Sequence, residues 1–300
     1  MVAVPKFSKI LDFGHPLVSG CAPSWASAWG QDRYGVWVEI SVDKVVQRLR
    51  WIPPGRFMMG SPESEAGRWG HEGPQHPVII SRGFWLFDKP VTQALWQSVM
   101  GSNPSKFKSP LRPVESVSWN DANEFIKALN GRIQGLNLML PTEAQWEYAC
   151  RANTETSTYN GELEIVGEKN GPLLDEMGWY SGNSGVDFDL EKGKDSRGWP
   201  QKQYDHGRAG TREVALKRPN GWGLYDMLGN VWEWCWDGQR GYEDKKEVEP
   251  LGSLDVGVMR VVRGGSWFDD ARFVRAAFRY AYVPGNRFGN LGFRCARVQE

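Results

Sequence analysis

Tryptophan sets the tightest limit on what this chain can fold into: 16 of its 300 residues are Trp, and 35 are Gly. So many large rings need an interior to fill, and so many glycines let the backbone turn sharply or pass close to them. The combination predicts tight, irregular backbone with little regular helix or strand. A chain of this length can bury a substantial core as one large domain or two smaller ones. Basic and acidic residues both number 36, for a formal net charge of zero. That balance gives no general attraction for nucleic acid or an anionic membrane, and neither is an expected partner.

The four cysteines, Cys21, Cys150, Cys235 and Cys295, are too scattered for a disulfide framework and form no C-x-x-C pair. They read as small buried hydrophobes in a reducing compartment. LVSGC at 17–21 has the outline of a lipoprotein cleavage box, but Lys6, Lys9, Asp12, His15 and Pro16 interrupt the apolar run it would need. No stretch approaches the roughly 20 apolar residues of a membrane span, so cytoplasm is the expected compartment.

Residues 1–30, rich in Pro, Ser, Gly and Ala, read as an N-terminal extension to a domain at 31–300. GVWVEISV (35–42) and VVQRLRWI (45–52) alternate as a strand pair joined by Asp43-Lys44. GRFMMGS (55–61) is a third strand, and HPVIISRGFWLF contains a fourth. Three helices carry their own start signals. Thr92 precedes Leu95, Val99 and Met100 on one face; Ser118 and Asp121 form a capping box ahead of Ala122, Phe125, Ile126 and Leu129; Thr142 and Gln145 form another ahead of Trp146, Ala149 and Cys150. From 151 to 222 no period is visible.

Seven motifs follow one another along the chain: FMMGSP (57–62), FDKPVTQALW (87–96), PVESVSWNDANEF (113–125), LPTEAQWEYACR (140–151), RPNGWGLYDMLGNVWEWC (218–235), RGGSW (263–267) and NLGFRCAR (290–297). The series resembles the formylglycine-generating enzyme and sulfatase-modifying factor family, from about residue 50 to the end. The resemblance implies an α+β fold, an irregular C-type lectin-like architecture with low regular secondary structure. It also implies chain ends that meet, which would set Cys150 beside Cys295, expected as free thiols.

The best-known activity of that family oxidises a substrate cysteine with a pair of cysteines that hold copper just after the Gly-Gly-Ser turn. Soft thiolates select reduced copper, but the matching positions here are Asp269 and Val274, so no copper is expected. A second branch uses iron held by histidines and a carboxylate. Of His15, His71, His76 and His206, only His71 and His76 lie close in sequence, in HEGPQH, which reads as a solvated loop. DMLGNVWE resembles the family's calcium loop. Asp226 and Glu233 would supply carboxylates, and Gly229 and Val231 backbone carbonyls, making a structural calcium the expected cofactor.

The tail, GGSWFDDARFVRAAFRYAYVPGNRFGNLGFRCAR (264–297), interleaves arginines with phenylalanines and tyrosines. Residues 268–298 contain no Lys, Glu, Gln, Met or Trp, although all five are common elsewhere in the chain. Free replacement of the adenines in an AAC codon yields Asn, Asp, Tyr, Phe, Ala, Val and Gly among others, and never those five. Phe268, Asp269, Asp270, Phe273, Phe278, Tyr280, Ala281, Tyr282, Val283, Asn286, Phe288, Gly289 and Asn290 all fit such codons. The pattern resembles the variable region of a diversity-generating retroelement protein, with diversified positions set in a fixed frame of Trp267, Ala271, Arg272, Val274, Arg275, Arg279, Pro284, Gly285, Arg287 and residues 291–294.

The expected function is therefore a non-catalytic display protein whose variable segment binds a ligand, expected to be a protein of unspecified identity. Phe278, Tyr280 and Tyr282 would be its anchors and Asp269, Asp270 and Asn290 its orienting polar groups. Two other readings stay open on the sequence: a related enzyme with altered chemistry, or a constant, inactive scaffold or signalling module.

Overall fold

Asp43 and Lys44 both adopt positive φ, 47° and 70°, the two-residue turn whose twist suits a β-hairpin. They join β2 (Gly35–Val42) to β3 (Val45–Ile52), as the alternation predicts. The computed structural model describes residue 17, residues 20–167 and residues 169–298. Within them β1 (Ala28–Asp32) pairs antiparallel with β2, and Trp25 is buried, its ring 6.2 Å from that of Trp85. Trp25 and the first residues of β1 thus lie within the stretch expected as an N-terminal extension. Residues 1–16 lie outside the described residues, as do residues 18 and 19 within the LVSGC stretch.

The third expected strand is β4 (Gly55–Met59). The fourth divides into β5 (His76–Ile80) and β6 (Phe84–Phe87), which belong to different sheets. The break falls at Ser81–Gly83. There Glu249 accepts from the Ser81 and Arg82 amides, and a Cβ on Gly83 would lie 2.2 Å from the Trp51 ring. The helices α1 (Gln93–Met100), α2 (Trp119–Arg132) and α3 (Glu143–Arg151) start where Thr92, Ser118 and Thr142 cap them, with reciprocal boxes at the last two.

After α3 the chain is irregular apart from the short pair β7 (Lys194–Asp195) and β8 (Arg208–Ala209) and single helical turns. Side chains satisfy the backbone there. Asn220, for example, donates to the carbonyls of Ala149 and Cys150. The remaining strands are β9 (Trp232–Gly238), β10 (Glu247–Val248), β11 (Arg260–Arg263), β12 (Arg279–Tyr282), β13 (Leu291–Gly292) and β14 (Ala296–Val298).

One five-stranded sheet runs β1-β2-β3-β6-β14, so the last strand lies in the same sheet as the first. A second sheet runs β12-β11-β9-β13, and a third β10-β5-β4. Two large packed clusters and a small one of Phe107, Ala209 and Trp267 fill the interior of the described residues. Of the large ones, one gathers Trp25, Trp51, Trp85, Trp96, Trp232 and Trp234 with α1 and α2, and the other gathers Trp146, Tyr148, Tyr180 and Met227 around α3. Cys295 belongs to the first cluster and Cys150 to the second, and all four cysteines are free thiols. No helix among the described residues is long and apolar enough to cross a membrane.

Candidate ligand-binding face

Strand β12 pairs antiparallel with β11, setting Arg263 opposite Arg279, Val262 opposite Tyr280, and Arg260 opposite Tyr282. Side chains alternate across a strand, so Arg279 and Ala281 face one way and Tyr280 and Tyr282 the other. The first face is ionic and buried against α3. Arg279 makes a two-pronged bond to Glu143 at 2.6 Å on each prong, and Arg263 pairs with Glu147. Arg263 also donates to the carbonyls of Ala276, Ala277 and Phe278, fixing three consecutive peptide units of the tail.

Further arginines do the same work on either side. Arg275 binds Glu72 at 2.7 and 2.9 Å and also pairs with Glu65, while Arg294 binds both oxygens of Glu233 at 2.7 Å. Burial alone would push the Glu143 carboxyl up, but the guanidiniums of Arg279 and Arg263 hold it below its ordinary value. A buried carboxylate with a matched guanidinium is the arrangement that tolerates loss of water.

The other face is aromatic. Tyr280 and Phe288 are 45% and 40% exposed, and the half-buried Tyr282 stands between them at centroid distances of 5.1 and 5.0 Å. Phe268, 47% exposed, rests on Trp199 and Trp267 at 5.2 and 5.4 Å. Val283 is exposed, whereas Asp270, Phe273, Asn286, Gly289 and Asn290 are half-buried. Between the ring groups Ser266 is a polar hub. Its hydroxyl accepts from the Asn290 side chain at 3.0 Å and the Phe268 amide at 3.3 Å, and bonds Asp269. Burial pushes the Asp269 carboxyl up to about 6, against the pull of the Ser266 hydroxyl and the Trp232 indole. Asp270 lies within reach of Lys169 and Arg272.

Two expected ligand contacts do not lie on this surface. Phe278 is 2% exposed and packs edge-on against Phe273 and Trp69 at 4.9 and 5.8 Å, so it is a core ring beneath the face. Ala281 is buried because it shares the ionic side of β12 with Arg279. Trp69 and Trp199, which support the face, come from segments that sequence reasoning left aside, while Ser266 lies in the RGGSW motif without having been singled out. Trp69 and Trp199 are far from the tail in sequence, so only the fold reveals their part.

Both carboxylates of the expected calcium loop have protein partners in this structure. Arg294 occupies both oxygens of Glu233, and the Trp146 indole donates to one of them at 2.8 Å. Asp226 accepts from the Ala215 amide at 2.7 Å and from Asn230 at 3.3 Å, and burial pushes its carboxyl up to about 6. Gly229 gives its amide to Gly264, and Val231 is buried. Calcium takes six or more oxygens, and here an arginine already bonds both of those that Glu233 would offer. Among the described residues no group of three or more His, Cys, Asp and Glu is placed to hold a metal ion.

His76 likewise departs from the solvated loop expected of HEGPQH. It is buried at the start of β5, bonded to Pro74 and Glu247, while His71 bonds the Arg279 carbonyl. Burial pushes the Cys150 thiol up to about 12 and those of Cys235 and Cys295 well above their ordinary value. Val274, at the second position that matches the family's cysteine pair, is wholly buried.

A family model described as sulfatase-modifying factor enzyme 1-like domain matches residues 39–299. The formylglycine-generating enzyme of Streptomyces coelicolor is 34% identical over 247 residues, covering 78% of this chain and 70% of that protein. The inactive C-alpha-formylglycine-generating enzyme 2 of Mus musculus is 30% identical over 69% of this chain, which spans 56% of the mouse protein. The relatives thus include active enzymes and inactive homologues. Among solved structures, Treponema denticola variable protein 1 superposes with a TM-score of 0.69 at 26% identity, over 88% of this chain and 99% of that one. The mixed architecture with few helices is the C-type lectin-like fold these proteins share, and the chain belongs to the sulfatase-modifying factor enzyme 1-like domain family.

Proposed function

We propose that this protein is a non-catalytic, ligand-binding display protein whose C-terminal segment is diversified by a retroelement through adenine mutagenesis. One observation carries the reading: the tail's backbone is held from beneath by arginines that lie outside the positions expected to vary. Arg263, Arg275, Arg279 and Arg294 fix it through Glu147, Glu72, Glu143 and Glu233, while the exposed rings of Tyr280 and Phe288 stand on the other side. A surface that must accept many side chains needs such a frame, because its own contacts cannot be relied on to hold it. The likeness to a protein named as variable, at 26% identity, supports the same reading.

The ligand class is a protein. Aromatic rings on a rigid backbone give large contact area with few torsions to freeze, the chemistry of a paratope. An enzyme with altered chemistry would find Asp269 where the family places one cysteine, and burial makes Cys150, Cys235 and Cys295 poor nucleophiles at neutral pH.

Deep sequencing of the gene's 3′ end in a natural population tests the proposal. Substitutions confined to adenine-derived codons between 268 and 290, with an unvarying near-copy nearby, are the expected outcome. An invariant tail with no copy would overturn it.

A further inference from the structure

Asp269 differs from the carboxylates of the ionic face in one respect. Glu65, Glu72, Glu143, Glu147 and Glu233 each pair with an arginine, whereas the partners of Asp269 are the Ser266 hydroxyl and the Trp232 indole, both neutral. Among the described residues no Lys, Arg or His forms an ion pair with it. The neighbouring cations are committed elsewhere: Lys169 and Arg272 to Asp270, Arg287 to Asp121, and Arg260 to the carbonyls of residues 253–255.

Asp269 shares the Ser266 hydroxyl with Asn290, two residues beyond Phe288, and the Trp267 indole donates to the Gly289 carbonyl at 3.0 Å, which brings this carboxylate to the ring-bearing stretch. The Tyr282 phenol is pushed up to about 12 by burial first and then by the nearby charge of Asp269 and by Tyr280. Tyr280 and Phe288 flank Tyr282 at 5.1 and 5.0 Å. A carboxylate lacking a counter-ion beside exposed aromatic faces is complementary to one kind of group, a cation that can stack. A planar guanidinium meets both demands at once, stacking on a ring while its N–H edge turns to the carboxylate.

We propose that Asp269, with Tyr280, Tyr282 and Phe288, receives an arginine side chain of the protein ligand. This rests on the display reading and sharpens it for this one chain, giving the ligand's anchor a chemical identity. Arginine supplies the buried charge pair that the receptor lacks, and its stem covers the ring edges.

The test is a titration of the full chain with N-acetyl-arginine amide, followed by the Trp232 indole N–H signal in ¹⁵N NMR. N-acetyl-citrulline amide, of nearly the same shape and without charge, is the control. A saturable shift with the arginine compound and none with the citrulline compound is expected. Asp269→Asn should weaken binding by about tenfold, and Tyr280→Ala, an exposed site that leaves the fold intact, by about threefold.

Equal responses to the two compounds, no saturable shift, or full binding by Asp269→Asn would overturn the proposal. Its failure is separable from that of the display reading. A tail that varies in the population without an arginine response sinks only the anchor, and an invariant tail with an arginine response sinks only the diversification.

Discussion

On one side of β12, Arg279 lies in the dark between Glu143 and Tyr242; on the other, one residue along, Tyr280 is 45% exposed to solvent. The tail thus carries two sets of side chains on one backbone, one that fixes the path and one that the path presents. The difference lies in what each set can tolerate. A buried guanidinium has a fixed carboxylate waiting for it, so its identity is dictated, whereas an exposed ring is constrained only by whatever it meets from outside. If the division is real, substitutions on the two sides must have opposite consequences.

The largest effect belongs to the ionic face. Arg263→Ala leaves buried Glu147 with Arg151 as its one remaining arginine and strips three buried carbonyls of their donor, so a loss of about 3–5 kcal/mol is expected in chemical denaturation. A loss under 1 kcal/mol would mean that the frame is held by something other than its ion pairs. Phe278→Ala comes next, at about 3 kcal/mol, because it opens a cavity among Trp69, Phe273 and Trp232. Tyr280→Ala should change stability by no more than about 0.5 kcal/mol while weakening the arginine probe. Equal stability losses for the two rings would break the comparison.

The carboxylates of the two faces make the same point through pH. Glu143 is held below its ordinary 4.5, so its contribution is full above that value and is lost on acidification through its lowered pKa. Asp269 is shifted the other way, from 3.8 up to about 6. Its contribution is full below 3.8 and is lost as pH rises through about 6. Asp269→Asn should therefore stabilise the protein at pH 7 by on the order of 1 kcal/mol and show no gain at pH 3.5. Paired thermal melts of wild type and variant across that range decide it. A gain at both pH values would point to packing instead of charge.

How much of this could be read beforehand depended on range. The β2–β3 hairpin and the three helix starts are written locally, in alternation and capping residues, and the structure follows them. The aromatic positions at 280, 282 and 288 were legible from residue type, but not which rings face outward. Phe278 and Tyr280 look alike in sequence and part only because β12 begins between them. The ion pairs were hidden by distance, since Arg263 and Glu147 are 116 residues apart. Glu143 and Glu147 stand at i, i+4 on a helix whose every residue is buried, and two inward acids require partners, but that burial is set by the fold and not by the local sequence. The same distance hid the partner of the expected calcium loop: a remote Arg294 bonds both oxygens of Glu233.

Arg287 gives the smallest expected effect and the sharpest control. It belongs to the same set of tail arginines, and its bond to Asp121 is well formed at 2.7 and 2.8 Å, yet its side chain is 55% exposed. Water and salt screen such a pair, and the loop it joins has other holds: the Trp119 amide donates to the Pro284 carbonyl and the Ser116 amide to that of Phe288. Arg287→Ala should therefore cost about 0.5 kcal/mol or less, and the cost should vanish in high salt. Asp121→Ala should cost more, about 1 kcal/mol, because Asp121 also bonds the Ser118 amide and hydroxyl at the start of α2. Burial, not the presence of an arginine, is what separates frame from display. A salt-insensitive loss at Arg287 as large as that at Arg263 would show the division drawn in the wrong place.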